Sequence, residues 1–594
     1  MASQEGHTDI VKLLLEKNLN IDLCNNDGCS PLNTASQEGH TDIVKLLLEK
    51  NPNIDLCNND GCSPLNMASQ EGHTDIVKLL LEKNLNIDLC NNDGCSPLNM
   101  ASQKGHTDIV KLLLEKNPNI DLCNNDGCSP LNMASQEGHT DIVKLLLEKN
   151  PNVNLCNNDG CSPLNMASQE GHTNIVKLLL EKNPNVNLCG KNGGSPLHKA
   201  CQNGHTDTVK LLLEKNPNID LCGNIYGCSP LYQACQNGHT DIVKLLLEKN
   251  PNVNLCCKNG GSPLYMACQN GHKDIVKLLL EKNPNIDLCD NIYGCSPLYK
   301  ACQNGHTDIV KLLLEKNPNI DLCNNDGCSP LNMASQEGHT DIVKLLLEKN
   351  PNIDLCNNDG CSPLNMASQE GHTDIVKMLL EKNPNIDLCD NIYGSSPLYK
   401  ACQNGHTDIV KLLLEKNPNI DLCNNDGCSP LNMANQKGHT DIVKLLLEKN
   451  PNIDLCDNIY GCSPLYKACQ NGHTDIVKLL LEKNLNIDLC NNDGCSPLNM
   501  ASQEGHTDIV KLLLEKNPNI DLCNNDGCSP LNMTSQEGHT DIVKLLLEKN
   551  PNIDLCNNDG CSPLNMASQE GHTDIVKLLL EKNPNVNLCG KKWW

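Results

Sequence analysis

The strongest constraint in this sequence is its period. Cysteines recur at Cys24, Cys57, Cys90, Cys123, Cys156, Cys189 and Cys222, and so on to Cys589, in steps of 33 residues. The step is 34 where the corner reads "NIYG" instead of "NDG". A chain built by copying so short a unit has no single large core; each unit must bury its apolar face against its neighbours. On this spacing residues 1–24 are a truncated first unit, residues 25–589 hold seventeen units, and residues 590–594 are a truncated tail. No linker or composition break interrupts the series, so one repeat domain is expected. Phe and Arg are absent, and Trp occurs only as Trp593 and Trp594, which is what repeated copying produces.

Within residues 25–57, "SPLNTASQE" predicts a short helix with Ser30 as N-cap, Pro31 at the first helical position and Gly39 ending it. "TDIVKLLLEK" predicts a second helix, with Asp42 in the first turn and Lys50 in the last, as the helix dipole favours. Asn51 is placed to end that helix in the left-handed conformation. Ile43, Val44, Leu46, Leu47 and Leu48 are too many for one face, so this helix must be covered on several sides. "PNIDLCNNDG" reads as an extended turn leading back.

These residues resemble the ankyrin repeat. The pattern is carried by Gly28-Cys29-Ser30-Pro31-Leu32, Ala35, Gly39-His40, Ile43-Val44 and Leu47-Leu48, and it recurs over almost the whole chain. The resemblance implies an all-α solenoid of stacked helix-turn-helix units with extended corner turns. It also implies that corners and first helices form a concave, partner-binding face. Two departures stand out. The family's Thr-Pro-Leu-His is here mostly Ser-Pro-Leu-Asn, with His only at His198, which is expected to weaken a Thr–His hydrogen bond. The Gly that ends the second helix is Asn throughout, at little expected cost.

The cysteine pair at each corner raises the question of metal or disulfide chemistry. Zinc needs four ligands in a tetrahedron, whereas each corner offers two, and the second is lost at Gly194, Gly261 and Ser395. The pair is read as a fold corner, with Cys24 a small apolar plug and Cys29 a variable corner residue. Ser30, His40 and Asp42 have the residue types of a hydrolytic triad, but the set recurs in most units and Ser30 serves as a cap. No phosphate-binding glycine loop occurs. No catalytic residue, metal or cofactor is expected.

Variation between the repeats gathers at the corner and in the first helix. The common type reads "NNDGCSPLNMASQEGHT"; the other reads "DNIYGCSPLYKACQNGHT" and holds all nine tyrosines. Tyr232, Tyr265, Tyr299, Tyr399 and Tyr466 take the family's inward-leaning His position. Each has a cysteine three residues on, in contact range on a helix, and packing compensation is expected. Tyr226, Tyr293, Tyr393 and Tyr460 fall in the lengthened corner, each after an Ile. Tyrosine offers a large contact area at low entropy cost. Ile225, Tyr226 and Gln233, Ile292, Tyr293 and Lys300, Ile392, Tyr393 and Lys400, and Ile459, Tyr460 and Lys467 are therefore the candidate protein-binding residues, with the lysines flanking the rings. The four atypical units within residues 190–307 are the expected recognition patch. Asn154, Asn187, Asn254 and Asn587 lie near a position that the family can hydroxylate, though the usual preceding acid is missing.

The formal charge of −26 opposes binding to nucleic acid, and no apolar run approaches the ~20 residues of a membrane span. A charged start with no secretory signal and thirty-nine cysteines point to a reducing, cytoplasmic setting. The cytosolic face of a membrane and the nucleus stay open. The sequence is read as a monomeric, non-enzymatic scaffold for other proteins, with multivalent binding through near-identical repeats. The rival readings are a mechanical spacer, or the regulatory arm of a larger enzyme or membrane protein. Both ends are cut in mid-unit, so a fragment of a longer chain is expected.

Overall fold

Ser30 sets the start of the first helix, Pro31–Gln37, and the sequence makes that start unusually well capped. Asn33 N donates to Ser30 Oγ (3.2 Å), while Asn33 Oδ1 accepts from Ser30 N (3.1 Å) and from the Ser30 hydroxyl (2.6 Å). Both residues are buried. The reciprocal bonding satisfies donors that a helix start leaves unpaired. The Asn that replaces the family's His therefore does not weaken the link to the capping hydroxyl; its carboxamide takes it over. Its remaining donor, Nδ2, bonds the Cys62 carbonyl of the next repeat at 3.0 Å. One side chain thus caps a helix and joins two repeats.

The second helix, Thr41–Leu48, buries Ile43, Val44, Leu47 and Leu48 at 4% exposure or less. In the first helix of the chain, Thr8–Leu15, the equivalent Ile10 and Leu14 are 48% and 43% exposed. Coverage by repeats on both sides makes the difference. Each such side chain contributes about 1.5–3 kcal/mol when buried. The helix ends earlier than the sequence pattern suggested: Lys50 lies beyond it, and Lys45 is the basic residue of its last turn, 3.8 Å from Asp42 in an exposed ion pair. Asn51 has φ 51°, the left-handed stop expected of it. Every Asn-Pro junction of this kind shares that conformation. Asn84 and Asn484, which precede Leu, do not. Proline disfavours the right-handed helical region at the residue before it, and with Leu85 in its place the Leu85 N–H instead bonds the Lys83 carbonyl (3.1 Å).

The computed structural model describes residues 1–17, 19–223 and 226–586. Among them are thirty-five helices and no strand. The chain forms two compact units, Met1–Pro297 and Leu298–Trp594, each a stack of helix pairs. Two side-chain ladders join repeats in both units. His73 Nε2 donates to the Gln37 carbonyl of the preceding repeat (2.9 Å), as His372 does to Gln336 (2.9 Å). Asp22 Oδ1 accepts from Asn53 N of the following repeat (2.9 Å), as Asp354 does from Asn385 N (2.9 Å). No helix among the described residues is long and apolar enough to cross a membrane.

Candidate protein-interaction site

The site is built on the corner between repeats. In the common corner Asn25 folds the turn: its Oδ1 accepts from Asp27 N (3.0 Å) and Cys29 N (2.8 Å). Gly28 follows at φ 74°, where a Cβ would also collide with Asn59 of the next repeat. Asn59 N then bonds the Asp27 carbonyl (3.0 Å), and its Nδ2 bonds the Asn26 carbonyl (3.1 Å). Successive corners are thereby hydrogen-bonded in a row.

The Ile–Tyr corner keeps that row while lengthening the turn. In the corners at Tyr293, Tyr393 and Tyr460 an aspartate replaces the asparagine, whereas the Tyr226 corner has Gly223 there. Asp290 Oδ1 accepts from Ile292 N (2.9 Å) and Tyr293 N (2.7 Å), and Oδ2 from Cys295 N (2.9 Å). Burial would push the Asp290 carboxyl up, but the backbone donors of Tyr293, Cys295 and Ile292 and the Tyr265 hydroxyl together hold it below the ordinary carboxylate value. In the second unit Asp390 accepts from Tyr393 N (2.6 Å) and Asp457 from Tyr460 N (2.7 Å). The tyrosine carbonyl replaces that of Asp27 in the ladder, accepting from Asn425 N (2.7 Å) after Tyr393 and from Asn492 N (2.8 Å) after Tyr460. The extra residue is absorbed without breaking the stack, and its side chains face solvent.

Exposure separates these corners from the rest of the chain. Tyr226 is 68% exposed, Tyr293, Tyr393 and Tyr460 are each 59% exposed, and Ile292, Ile392 and Ile459 are 53–54% exposed. Among the described residues, other large exposed apolar side chains lie only within residues 1–23 and 580–586. Ile225 lies outside the described residues, as does Asn587. Gln233 is half-buried. The flanking lysines are not free cations: Lys400 Nζ is 3.3 Å from Asp390 Oδ2, and Lys467 Nζ is 3.8 Å from Asp457 Oδ2, with all four side chains at least 86% buried. The same ammonium groups lie 5.7 and 5.6 Å from the Tyr393 and Tyr460 ring centroids, in range for a cation–π contact. Lys300 Nζ donates to Gln303 Oε1 (2.9 Å) and lies 5.9 Å from the Tyr299 ring. Sequence spacing placed the lysines beside the rings but could not see that the turn aspartate would neutralise two of them.

The cysteine assignment is reversed by the structure. Cys24 is exposed and Cys57 half-exposed, whereas the corner thiols Cys29 and Cys62 are buried. The plug is the corner residue, where Cys95 and Cys128 pack with Met100 and Met133. Burial pushes Cys62 and Cys95 up, keeping them thiols. A repeat-ending cysteine such as Cys57 points its thiol at the Asp55 carbonyl (3.5 Å). Cys24, Cys29, Cys57 and Cys62 are free thiols.

The first-helix tyrosines are core residues, 3–7% exposed. Their hydroxyls reach the next repeat rather than the cysteine three positions on: Tyr299 and Tyr399 accept from Asn324 and Asn424 Nδ2, each at 3.2 Å. The accompanying cysteines, such as Cys402, are fully buried. In common repeats that place is taken by serines such as Ser335 and Ser368, whose buried hydroxyls have no partner. Of the triad-like residues, Ser30 is committed to Asn33 and His40 to the Gln4 carbonyl (2.9 Å). Asn154, Asn187 and Asn254 each use Oδ1 to accept a backbone N–H of the next repeat (2.7–2.8 Å), the role Asp has elsewhere.

Among the described residues, no group of three or more His, Cys, Asp or Glu side chains is gathered as a metal would require. The family model for ankyrin repeats, which spans three copies, matches in overlapping windows from residues 1–56 and 51–123 through to 450–524 and 516–588. No curated protein matches the chain.

Proposed function

This chain belongs to the ankyrin-repeat family, and on that premise we propose that it is a non-enzymatic scaffold that binds other proteins through its corners and first helices. Ankyrin repeats are in general protein-interaction modules. One observation carries the reading: among the described residues, and away from residues 1–23 and 580–586, the large apolar side chains left in solvent are those of the Ile–Tyr corners. Exposed aromatic side chains on a rigid backbone are favoured binding anchors. Tyr226 and Tyr293 serve in the first unit, with Ile225, Gln233 and Ile292 beside them in sequence, and Ile392–Tyr393 and Ile459–Tyr460 in the second, which also holds Lys300. Lys400 and Lys467 position the rings from beneath. Recurrence of the anchor lets one chain hold more than one copy of a partner.

The test is capture from cell lysate by the full chain and by a variant carrying Tyr226→Ser, Tyr293→Ser, Tyr393→Ser and Tyr460→Ser. A protein retained by the first and lost from the second is the expected result. Equal capture by both would move recognition to the common repeats. Capture by neither would favour the spacer reading, which the sameness of the common repeats supports.

A further inference from the structure

Between Asp359 and Asp493 in the second unit the corner tips alternate in chemistry, with further acids, Asp326 before and Asp526 and Asp559 after, at the same corner position. The carbonyls of Asp359, Tyr393, Asp426, Tyr460 and Asp493 accept in turn from the backbone N–H of Asn391, Asn425, Asn458, Asn492 and Asn525, at 2.6–2.8 Å. These five residues therefore occupy one equivalent position along the row of corners. Their side chains are all exposed. Because Lys400 and Lys467 are paired with Asp390 and Asp457, they do not offset the three carboxylates at the tips. The edge presents acid, Ile–Tyr, acid, Ile–Tyr, acid, on a chain of formal charge −26.

We infer that this edge receives an extended basic segment of a partner protein in which cationic and apolar side chains alternate. The inference rests on the interaction reading above and gives that partner its chemistry. Repeats stack about 8–10 Å apart, and an extended chain rises about 3.3 Å per residue, so the alternation falls at roughly every third residue. Carboxylates at the tips steer and register the segment, while the Ile–Tyr pairs supply the apolar contact. An acidic or uniformly apolar segment would meet the wrong chemistry at every second step.

The experiment is fluorescence anisotropy on the full chain with a synthetic peptide of about 18 residues, Lys and Leu alternating at every third position and Gly and Ser between. Three controls are a shuffled peptide of the same composition, one with Glu for Lys, and one with Ser for Lys. The alternating basic peptide is expected to bind at least about 10-fold more tightly than any control. Asp359→Asn, Asp426→Asn and Asp493→Asn together are expected to remove that advantage. Asn already stands at this position in Asn192 and Asn259, so the triple variant tests charge rather than folding, which circular dichroism of the same sample checks. Equal binding of the Glu peptide, unchanged binding by the triple variant, or no binding of the basic peptide overturns the inference. If the uncharged peptide binds as well as the basic one and is lost on Tyr393→Ser with Tyr460→Ser, the basic partner falls while the interaction reading stands. If the peptides bind and the tyrosine variant changes nothing, both fall.

Discussion

The corners at residues 390–394 and 424–427 lie one repeat apart and build the same backbone ladder from different side chains. The common corner closes on a neutral Asn424, whose Oδ1 takes Asp426 N and Cys428 N (3.1 and 2.8 Å). The longer corner closes on a buried Asp390, whose charge is matched by Lys400 beneath the Tyr393 ring. In this corner the insertion is accommodated by a charged acceptor in the turn, Asp390, and a counter-charge, Lys400, from the adjoining first helix; the Tyr226 corner has Gly223 and Gln233 at those positions. The inside differs too: Asn432 Nδ2 bonds the Leu455 carbonyl at the end of its own repeat (3.1 Å), whereas the Tyr399 hydroxyl accepts from Asn424 Nδ2 of the next (3.2 Å).

The largest effect is expected from removing the turn aspartate. Asp390→Ala leaves Lys400 buried without its partner and Tyr393 N without its acceptor, and is expected to destabilise the local stack by about 3–5 kcal/mol. Hydrogen exchange across residues 390–405 of the full chain reads this. Asn424→Ala, lacking a charge to strand, is expected to cost only about 1–2 kcal/mol.

His198 is the one place where the Asn-or-Tyr position carries a titratable imidazole. Burial, aided by the Lys199 charge, lowers its pKa to about 4 from an ordinary 6.5. Because the folded value is depressed, the contribution is fully present above pH 6.5 and is lost as pH falls from 6.5 towards 4. Protection of residues 196–203 is expected to drop by about 3 kcal/mol over that window. The Asn165 repeat lacks this imidazole and serves as the flat control.

Asn332→Ala removes the capping box and the bond from Nδ2 to the Cys361 carbonyl (3.1 Å). The expected loss is about 2 kcal/mol by chemical denaturation or local exchange. Tyr399→Phe, which loses one hydroxyl contact, is expected to cost about 1 kcal/mol.

A gain is expected at Asn435, which stands where other common repeats have serine. Its buried carboxamide has no partner at either atom, and the neighbouring Ser429–Asn432 contact is 3.1 Å against 2.6 Å at Ser329–Asn332. Asn435→Ser is expected to stabilise its repeat by about 1 kcal/mol. No change in local exchange would refute the unpaired amide as a cost.

The sequence made the helix pairs legible because their signals are local: Ser30-Pro31 at a start, Asn51 before Pro52 at a stop, and an apolar run too dense for one face. The split between first-helix and corner tyrosines was also legible, because one set falls in helical register and the other beside an insertion. What could not be read was anything set by contact between repeats. Cys24 and Cys29 both lie in a turn, and only stacking decides that Cys29 is buried while Cys24 stays exposed. Lys400 looked like a surface cation because its partner, Asp390, lies ten residues away across a turn. The bond from Asn33 to Cys62 likewise spans two units, so a departure from the family's His read as a loss.

Recognition by the exposed tyrosines, with the interior alone holding the stack, requires that binding and stability separate in one variant. Full chain carrying Tyr393→Ser and Tyr460→Ser should be measured for denaturant unfolding and for peptide binding on the same sample. Unfolding shifted by no more than about 1 kcal/mol per site, the scale of a lost cation–π contact, with binding lost, is the predicted result. A loss of several kcal/mol in stability would contradict it and make the Ile–Tyr corners part of the packing.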